Sequence, residues 1–346
     1  MMLQPSPAFL VTGQPRALKR WLYVVAALIV AMVAVGGITR LTESGLSITQ
    51  WKPISGVVPP LNIAQWQAEF DRYKQIPEYR AFNQGMTLAG FQAIFFWEYL
   101  HRLLGRVIGL AFALPLIWFA VRRQIPRGYG WRLGALLALG AMQGAVGWWM
   151  VASGLSERTD VSHLRLAAHL LTALVILGGI VWTALDLRAL EHRPVARSAR
   201  LTGLAALAIG ALALQILYGA LTAGLDAGYA FSSWPLMGDA WFPQGVPMAA
   251  PAWTNAVDNP VVVQFVHRWL AFAAAAALLW LGHRAAKAGA RRAGLWVAGL
   301  VVVQIGLGIA TLLTGVEIAV AVAHQTNAAL LLIATVAAAH GVGRRA

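Results

Sequence analysis

The 346-residue chain has no cysteine. That excludes disulfides, thiolate metal sites and cysteine nucleophiles. Charge is scarce as well: Asp, Glu, Lys and Arg make up 12% of the residues, against roughly a quarter in a soluble domain. Acid is scarcer still, with 13 Asp and Glu beside 27 Lys and Arg. What fills the chain instead is apolar, 59% of it, so this is an integral membrane protein. The net charge of +14 would suit a nucleic acid if it lay on one soluble face. It sits in short connections between apolar runs, so no nucleic-acid partner is expected and the lipid bilayer is.

A helix needs about 20 apolar residues to cross the hydrocarbon. Runs of that kind fall near 21–39, 96–121, 131–152, 163–185, 200–224, 261–283, 293–314 and 318–340, which predicts eight transmembrane helices and an all-α fold. The first run follows Arg16, Lys19 and Arg20 like a signal peptide. It continues into GGITRLTESG without a small-residue cleavage site, so it reads as a span. The segment 1–20, the 122–132, 186–200 and 284–292 loops and the Arg344–Arg345 tail hold 17 of the 27 Lys and Arg. By the positive-inside rule both termini are cytoplasmic, or on the matrix side in a mitochondrion. On this reading His192, His283 and His340 are solvated or at helix C-termini on that side.

The chain repeats itself. GGITRLTESGLS (36–47) is echoed by GALTAGLDAGYA (219–230), EYLHR (98–102) by QFVHR (264–268), and QGAVGWWMVASG (143–154) by QIGLGIATLLTG (304–315). Four spans per half keep the two halves in the same orientation, a parallel repeat about an axis along the membrane normal. The expected organisation is therefore two four-helix bundles, 21–190 and 200–341, after a cytoplasmic segment 1–20. Two outer loops are long. In 40–94, Ile63, Trp66, Phe70 and Tyr73 share one helical face behind a possible Asn62 cap, an interfacial helix lying over the bundle. Loop 225–259, rich in Trp and Pro, is the equivalent cover. Gly134, Gly140, Gly144 and Gly147 offer a small-residue face for packing within or between chains, which leaves a homo-oligomer open.

Four histidines, His101, His169, His267 and His324, lie one to two turns inside the outer ends of spans two, four, six and eight. Two imidazoles facing across a four-helix bundle suit a bis-histidine haem. Gly105 and Gly109 leave room for the ring below His101, and Ala273–Ala277 below His267. Zinc wants a tetrahedral set, and a proton relay runs across the membrane rather than along one layer. His163, at the mouth of span four, has no assigned role. Arg102 and Arg268 follow two of the histidines, placed to pair with haem propionates or to snorkel to the headgroups. The halves differ at Glu98, one turn before His101, whose counterpart is Gln264. A carboxylate beside reacting carbon can accept a proton or stabilise positive charge; an ion pair with Arg102 or Arg106 is the structural alternative. The asymmetry points to a catalytic half and a cofactor half.

GGITRLTESGLSITQWKPISGVVPP and EYLHRLLGRVIG, with the paired histidines in four-plus-four spans, resemble the haem A synthase family, in its proteobacterial and mitochondrial form, over residues 20 to 340. The resemblance implies oxidation of the C8 methyl group of haem O to a formyl group, giving haem A for cytochrome c oxidase. It implies haem b as cofactor, with His267 and His324 as axial ligands to its iron. It places the substrate haem O between His101 and His169, with Glu98 required for the chemistry. It further implies substrate delivery by haem O synthase, an electron donor or acceptor it does not identify, and a bacterial inner membrane, or the mitochondrial one in a eukaryote. Some family members carry outer-loop cysteine pairs; this chain has none, so thiol-based electron entry is excluded. A di-haem cytochrome that carries electrons without modifying haem, and a proton-coupled transporter, are the rival readings.

Overall fold

The computed structural model describes residues 13–344; most of the 1–20 segment and Arg345 lie outside the described residues. Among these residues the regular structure is helical, and eight helices are long and apolar enough to span a bilayer. They are α1 (Pro15–Leu41), α4 (Leu88–Val121), α5 (Tyr129–Ala152), α6 (His163–His192), α7 (Gly203–Gly224), α9 (Pro260–Lys287), α10 (Arg291–Leu313) and α11 (Ile318–Gly343). Three shorter helices belong to the long loops: α2 (Ile63–Tyr73), α3 (Pro77–Phe82) and α8 (Asn255–Asp258).

Five of the helices, α2, α4, α7, α9 and α11, begin where a side chain satisfies a first free amide. The Asn62 side chain accepts from Gln65 N at 2.9 Å, and Thr87 from Gly90 N at 3.2 Å. Asn259 accepts from Val261 N and Val262 N, and Glu317 from Ala319 N and Val320 N. Between α9 and α10 the chain reverses through Gly289, at φ 83°, where a side chain would be strained.

Contacts join α1 to α4 and α6, and α5 to α6; they join α7 to α9, α9 to α10, and α10 to α11. That grouping fits four helices plus four. Across the seam α1 packs on α11, and α6 on α7 and α11. One end of the bundle gathers Gln14 with Gln124, Lys19 and Arg16 with Glu191, and Arg200 with Gly343. At the opposite end Arg40 meets Asp226 at 2.6 Å. A single apolar core fills the first end, from Leu18, Leu22 and Val25 through Leu177, Ile180 and Leu187 to Leu281 and Ala338. The four histidines of interest lie beyond it, toward the other end.

At that packed end His340 falls in the last turn of α11, as expected, and is buried there. Its Nε2 lies 3.0 Å from Asp186 Oδ1, while Arg132 Nη1 approaches Asp186 Oδ2 at 2.7 Å and Ala199 N donates to Oδ1 at 2.9 Å. Helix α11 ends against α6, so its last histidine faces a neighbour's carboxylate rather than water. His192 and His283 are exposed, as expected.

The long loops cap the histidine end. Phe70 and Tyr73 of α2 are buried on Phe91 of α4, and Trp66 meets Phe95 edge-on at 4.9 Å. Ile63, expected on the same face, is instead 70% exposed, as are its neighbours Ala64 and Gln65 in the first turn of α2. In the second loop Trp234 stacks on Trp269 and Phe272 of α9.

Candidate functional site

His267 of α9 and His324 of α11 face each other, with ring centroids 6.5 Å apart and planes at 88°. A metal–imidazole bond is about 2 Å. Two rings sharing one metal between them therefore stand roughly 6 Å apart, centroid to centroid. The pair borders a cavity of about 270 Å³ whose walls include Leu212, Ala271, Phe272, Ala275 and Ile305. Apolar walls with two opposed imidazoles suit a planar macrocycle with a central metal. Among the described residues no three His, Asp or Glu converge on one point, so a bare metal ion would find too few ligands.

Glycines seat the rings. A Cβ added at Gly219 or Gly308 would stand 3.0 Å from His267 Cε1 or His324 Cε1. In the other half a Cβ at Gly36 would stand 3.1 Å from His101 Cε1, and one at Gly147 2.8 Å from His169 Cε1. Each glycine sits on the spanning helix before the histidine it seats. The two halves thus place their histidines by the same device. Of the glycines expected to make room below His101, Gly105 packs on Met32 and Gly109 faces open space.

Glu98 is 3% exposed, one turn before His101 on α4. Ser47 Oγ donates to its Oε2 at 2.7 Å and Ile48 N at 2.6 Å; Arg102 donates to Oε1 through Nε at 3.0 Å and Nη2 at 2.6 Å. A carboxylate with this many donors is fixed in place. Its counterpart Gln264, also buried, donates to Phe231 O at 3.0 Å.

The arginines after the histidines do not snorkel. Arg102 donates to Gln50 O at 3.0 Å and Ile48 O at 2.7 Å. Arg268, 5% exposed, donates to Phe231 O and Ser233 O at 2.8 Å and to Leu236 O at 3.2 Å. Arg106 does the same for Lys52 O and Pro53 O. Each arginine ties an outer loop to the helix that carries the histidine. Arg268 also borders the cavity, and its Nε is buried without a partner. His163 is buried against Gly224, with Nε2 2.9 Å from Asp258 Oδ1, which ties the start of α6 to α8 in the second long loop.

Sequence reading missed Ser47 and Ile48 as holders of Glu98, the four glycine seats, and Gln143, Gln215 and Gln304 beside the histidines. The recurring Q-x-x-x-G spacing was the available signal for the last two sets.

Fold and site together define a multi-pass membrane protein with a facing histidine pair on the wall of an apolar cavity. The model of the family described as "Cytochrome oxidase assembly protein" matches residues 19–336, and the chain belongs to that family. Three curated relatives carry the name "Heme A synthase". The protein from Sphingopyxis alaskensis is 57% identical over 99% of this chain and 96% of its own length. That from Rhizorhabdus wittichii is 59% identical over 98% and 96%. That from Novosphingobium aromaticivorans is 51% identical over the whole of both.

Proposed function

We propose that this chain makes haem A, oxidising the C8 methyl group of haem O to a formyl group for use in cytochrome c oxidase. Full-length similarity to proteins named for that synthesis supports the activity. The observation that carries the mechanism is the buried, four-donor Glu98 one turn from His101, set against neutral Gln264 in the equivalent place.

In this reading residues 21–190, with loop 40–94 as cover, form the substrate half. Residues 200–341 form the cofactor half, where His267 and His324 would hold haem b from opposite faces. Bound there, haem b supplies one-electron transfer. His101 and His169 position haem O, and the Arg102 clamp on loop 48–50 excludes water from the reacting edge. Glu98 accepts a proton as the methyl carbon is oxidised, or stabilises positive charge developing on it. Arg268, with its spare buried Nε, is placed to meet a propionate. The basic connections put the termini in the cytoplasm and the histidine layer near the outer face of the inner membrane. Haem O, apolar and reactive, would be handed over by haem O synthase; with water as the source of the formyl oxygen, the methyl-to-formyl change releases four protons and four electrons, and a further redox partner takes up the electrons.

The test is Glu98→Gln, produced together with haem O synthase. Both haem sites should still fill, while haem A formation falls about 100-fold or more. Undiminished haem A would remove the carboxylate from the mechanism.

A further inference from the structure

The two halves differ in how their interiors face the membrane. The repeat sets α4 against α9 through EYLHR and QFVHR, and α5 against α10 through QGAVG and QIGLG. In that register four residues on the wall of the C-terminal cavity, Ala271, Ala275, Val301 and Ile305, correspond to Gly105, Gly109, Gly140 and Gly144. Ala275 and Val301 are buried, whereas all four glycines are exposed. A Cβ added at Gly109, Gly140 or Gly144 would meet nothing within 4 Å. Equivalent positions thus face a closed interior in one half and open space in the other.

The cause lies on the same helices, nearer the end that bears the termini. There α9 and α10 meet at Gly282 and Gly294. A Cβ on Gly294 would overlap Gly282 O, and one on Gly282 would stand 3.2 Å from Gly294 O. Helix backbones come this close only where small residues allow it. Leu116 and Leu133 hold the equivalent positions in α4 and α5, both buried, and their side chains keep the two helices apart. Accordingly α9 packs along α10, while α4 and α5 touch sparingly. The other three sides of the N-terminal bundle, α1 on α4, α1 on α6 and α5 on α6, are packed. Toward the outer face Trp51 stacks on Trp148 of α5 at 5.5 Å, and Arg102 and Arg106 clamp the loop bearing Trp51 to α4. Toward the termini the apolar core closes the bundle. At the inner end of the gap Gln143 Oε1 and the Nδ1 atoms of His101 and His169 are buried without partners.

We propose that the gap between α4 and α5 is the route by which the substrate haem passes between the bilayer and the His101–His169 pair, with Gly109 and Gly140 as its facing walls. This rests on the reading that the N-terminal half takes haem O. Haem O is an apolar porphyrin carrying a long isoprenoid chain, so lipid dissolves it far better than water does. A lateral route spares it any passage through water, and the loop clamped over the outer end can stay in place while it enters. The macrocycle is flat, and walls of glycine leave a slot that larger side chains would narrow. Ala275, Val301 and the Gly282–Gly294 contact close the same side of the C-terminal cavity, as suits a cofactor that stays. Gly109 and Gly140 touch no reacting atom; they govern passage rather than chemistry.

The experiment uses the haem b-loaded protein from cells without haem O synthase, placed in phosphatidylcholine vesicles, anaerobic and without an electron acceptor. Haem O is added in excess and dissolves in the bilayer. Its arrival is read from the absorbance change of bis-imidazole ligation, which His169→Leu should abolish. Gly140→Trp should slow uptake about tenfold or more, slow release into excess apomyoglobin alike, and leave haem b and the final amount of haem O bound unchanged. Gly109→Trp, on the facing wall, should do the same, and it decides the matter where Gly140→Trp does not retain haem b. Gly134→Trp is the control. That glycine is exposed on α5, as its counterpart Leu295 is on α10, and its replacement should leave the rates as in the wild type. Wild-type rates in Gly109→Trp and Gly140→Trp overturn the proposal with the substrate reading intact. Equal slowing by Gly134→Trp, or less haem O bound at an unchanged rate, overturns it likewise. A dimer that Gly140→Trp converts to a monomer on sizing would assign the glycines to a contact between copies and overturn it too. Wild-type protein that takes up no haem O, or an uptake that His169→Leu leaves unchanged, overturns the substrate reading together with the proposal.

Discussion

Glycine at four positions seats the four imidazoles of the site. Its hydrogen lets an imidazole lie flat on the neighbouring helix, and the tightest of the four seats is Gly147, where a Cβ would stand 2.8 Å from His169 Cε1. Packed interiors do not absorb such overlaps without moving a side chain. Gly147→Ala should therefore displace His169 and cut the haem O and haem A recovered with the protein several-fold, with haem b unchanged. Pigment chromatography of the purified variant checks this; equal loss of all three haems would mean general unfolding instead. Glu98 belongs to the same scale. Its hold by Ser47, Ile48 N and Arg102 fixes where a proton can be taken, which Gln264 cannot do.

Among the elements, the short helix α3 and the ends of α6 and α11 make claims that stability measurements can test. Glu78 of α3 is 5% exposed, accepts from the Tyr73 hydroxyl at 3.1 Å, and burial pushes its carboxyl up to about 8. A carboxyl raised in the folded state binds its proton more tightly there than when unfolded. Its contribution is complete below the ordinary carboxylate range and is lost as pH rises through about 8. The melting temperature should fall between pH 5 and pH 8, by up to about 1.4 kcal/mol of stability per pH unit. Glu78→Gln should flatten that slope; an unchanged slope would place the titration elsewhere. Asp186 joins α5, α6 and α11 through Arg132 and His340. Asp186→Ala leaves both partners without their acceptor and should cost about 3 kcal/mol, read as a lowered melting temperature in detergent. The eight spans and the depth of the histidines were legible in the sequence because hydropathy and helical rise act along one chain. Ser47 under Glu98, the arginine clamps on loop carbonyls and His340 against Asp186 were not, since each needs a partner about 50 to 150 residues away in sequence that no local pattern points to.

At the scale of the whole molecule, one packed core ties the two groups of helices together at the end bearing the termini, and the histidine pairs occupy the other end under two clamped loops. Gln325, next to His324, donates to Val33 O of α1 at 2.9 Å, and α1 also carries the Gly36 seat of His101. The packing of α1 on α11, with that of α6 on α7 and α11, thus fixes the two histidine pairs relative to each other, as the proposed transfer of electrons between a cofactor haem and a substrate haem requires. That division of labour is the central claim. It is tested most directly by purifying the protein from cells that also make haem O synthase and separating its extracted pigments. Haem b together with haem O or haem A is the predicted result. Haem b alone, with haem O available in the cell, would contradict it and leave an electron carrier, and a protein without pigment would contradict haem binding altogether.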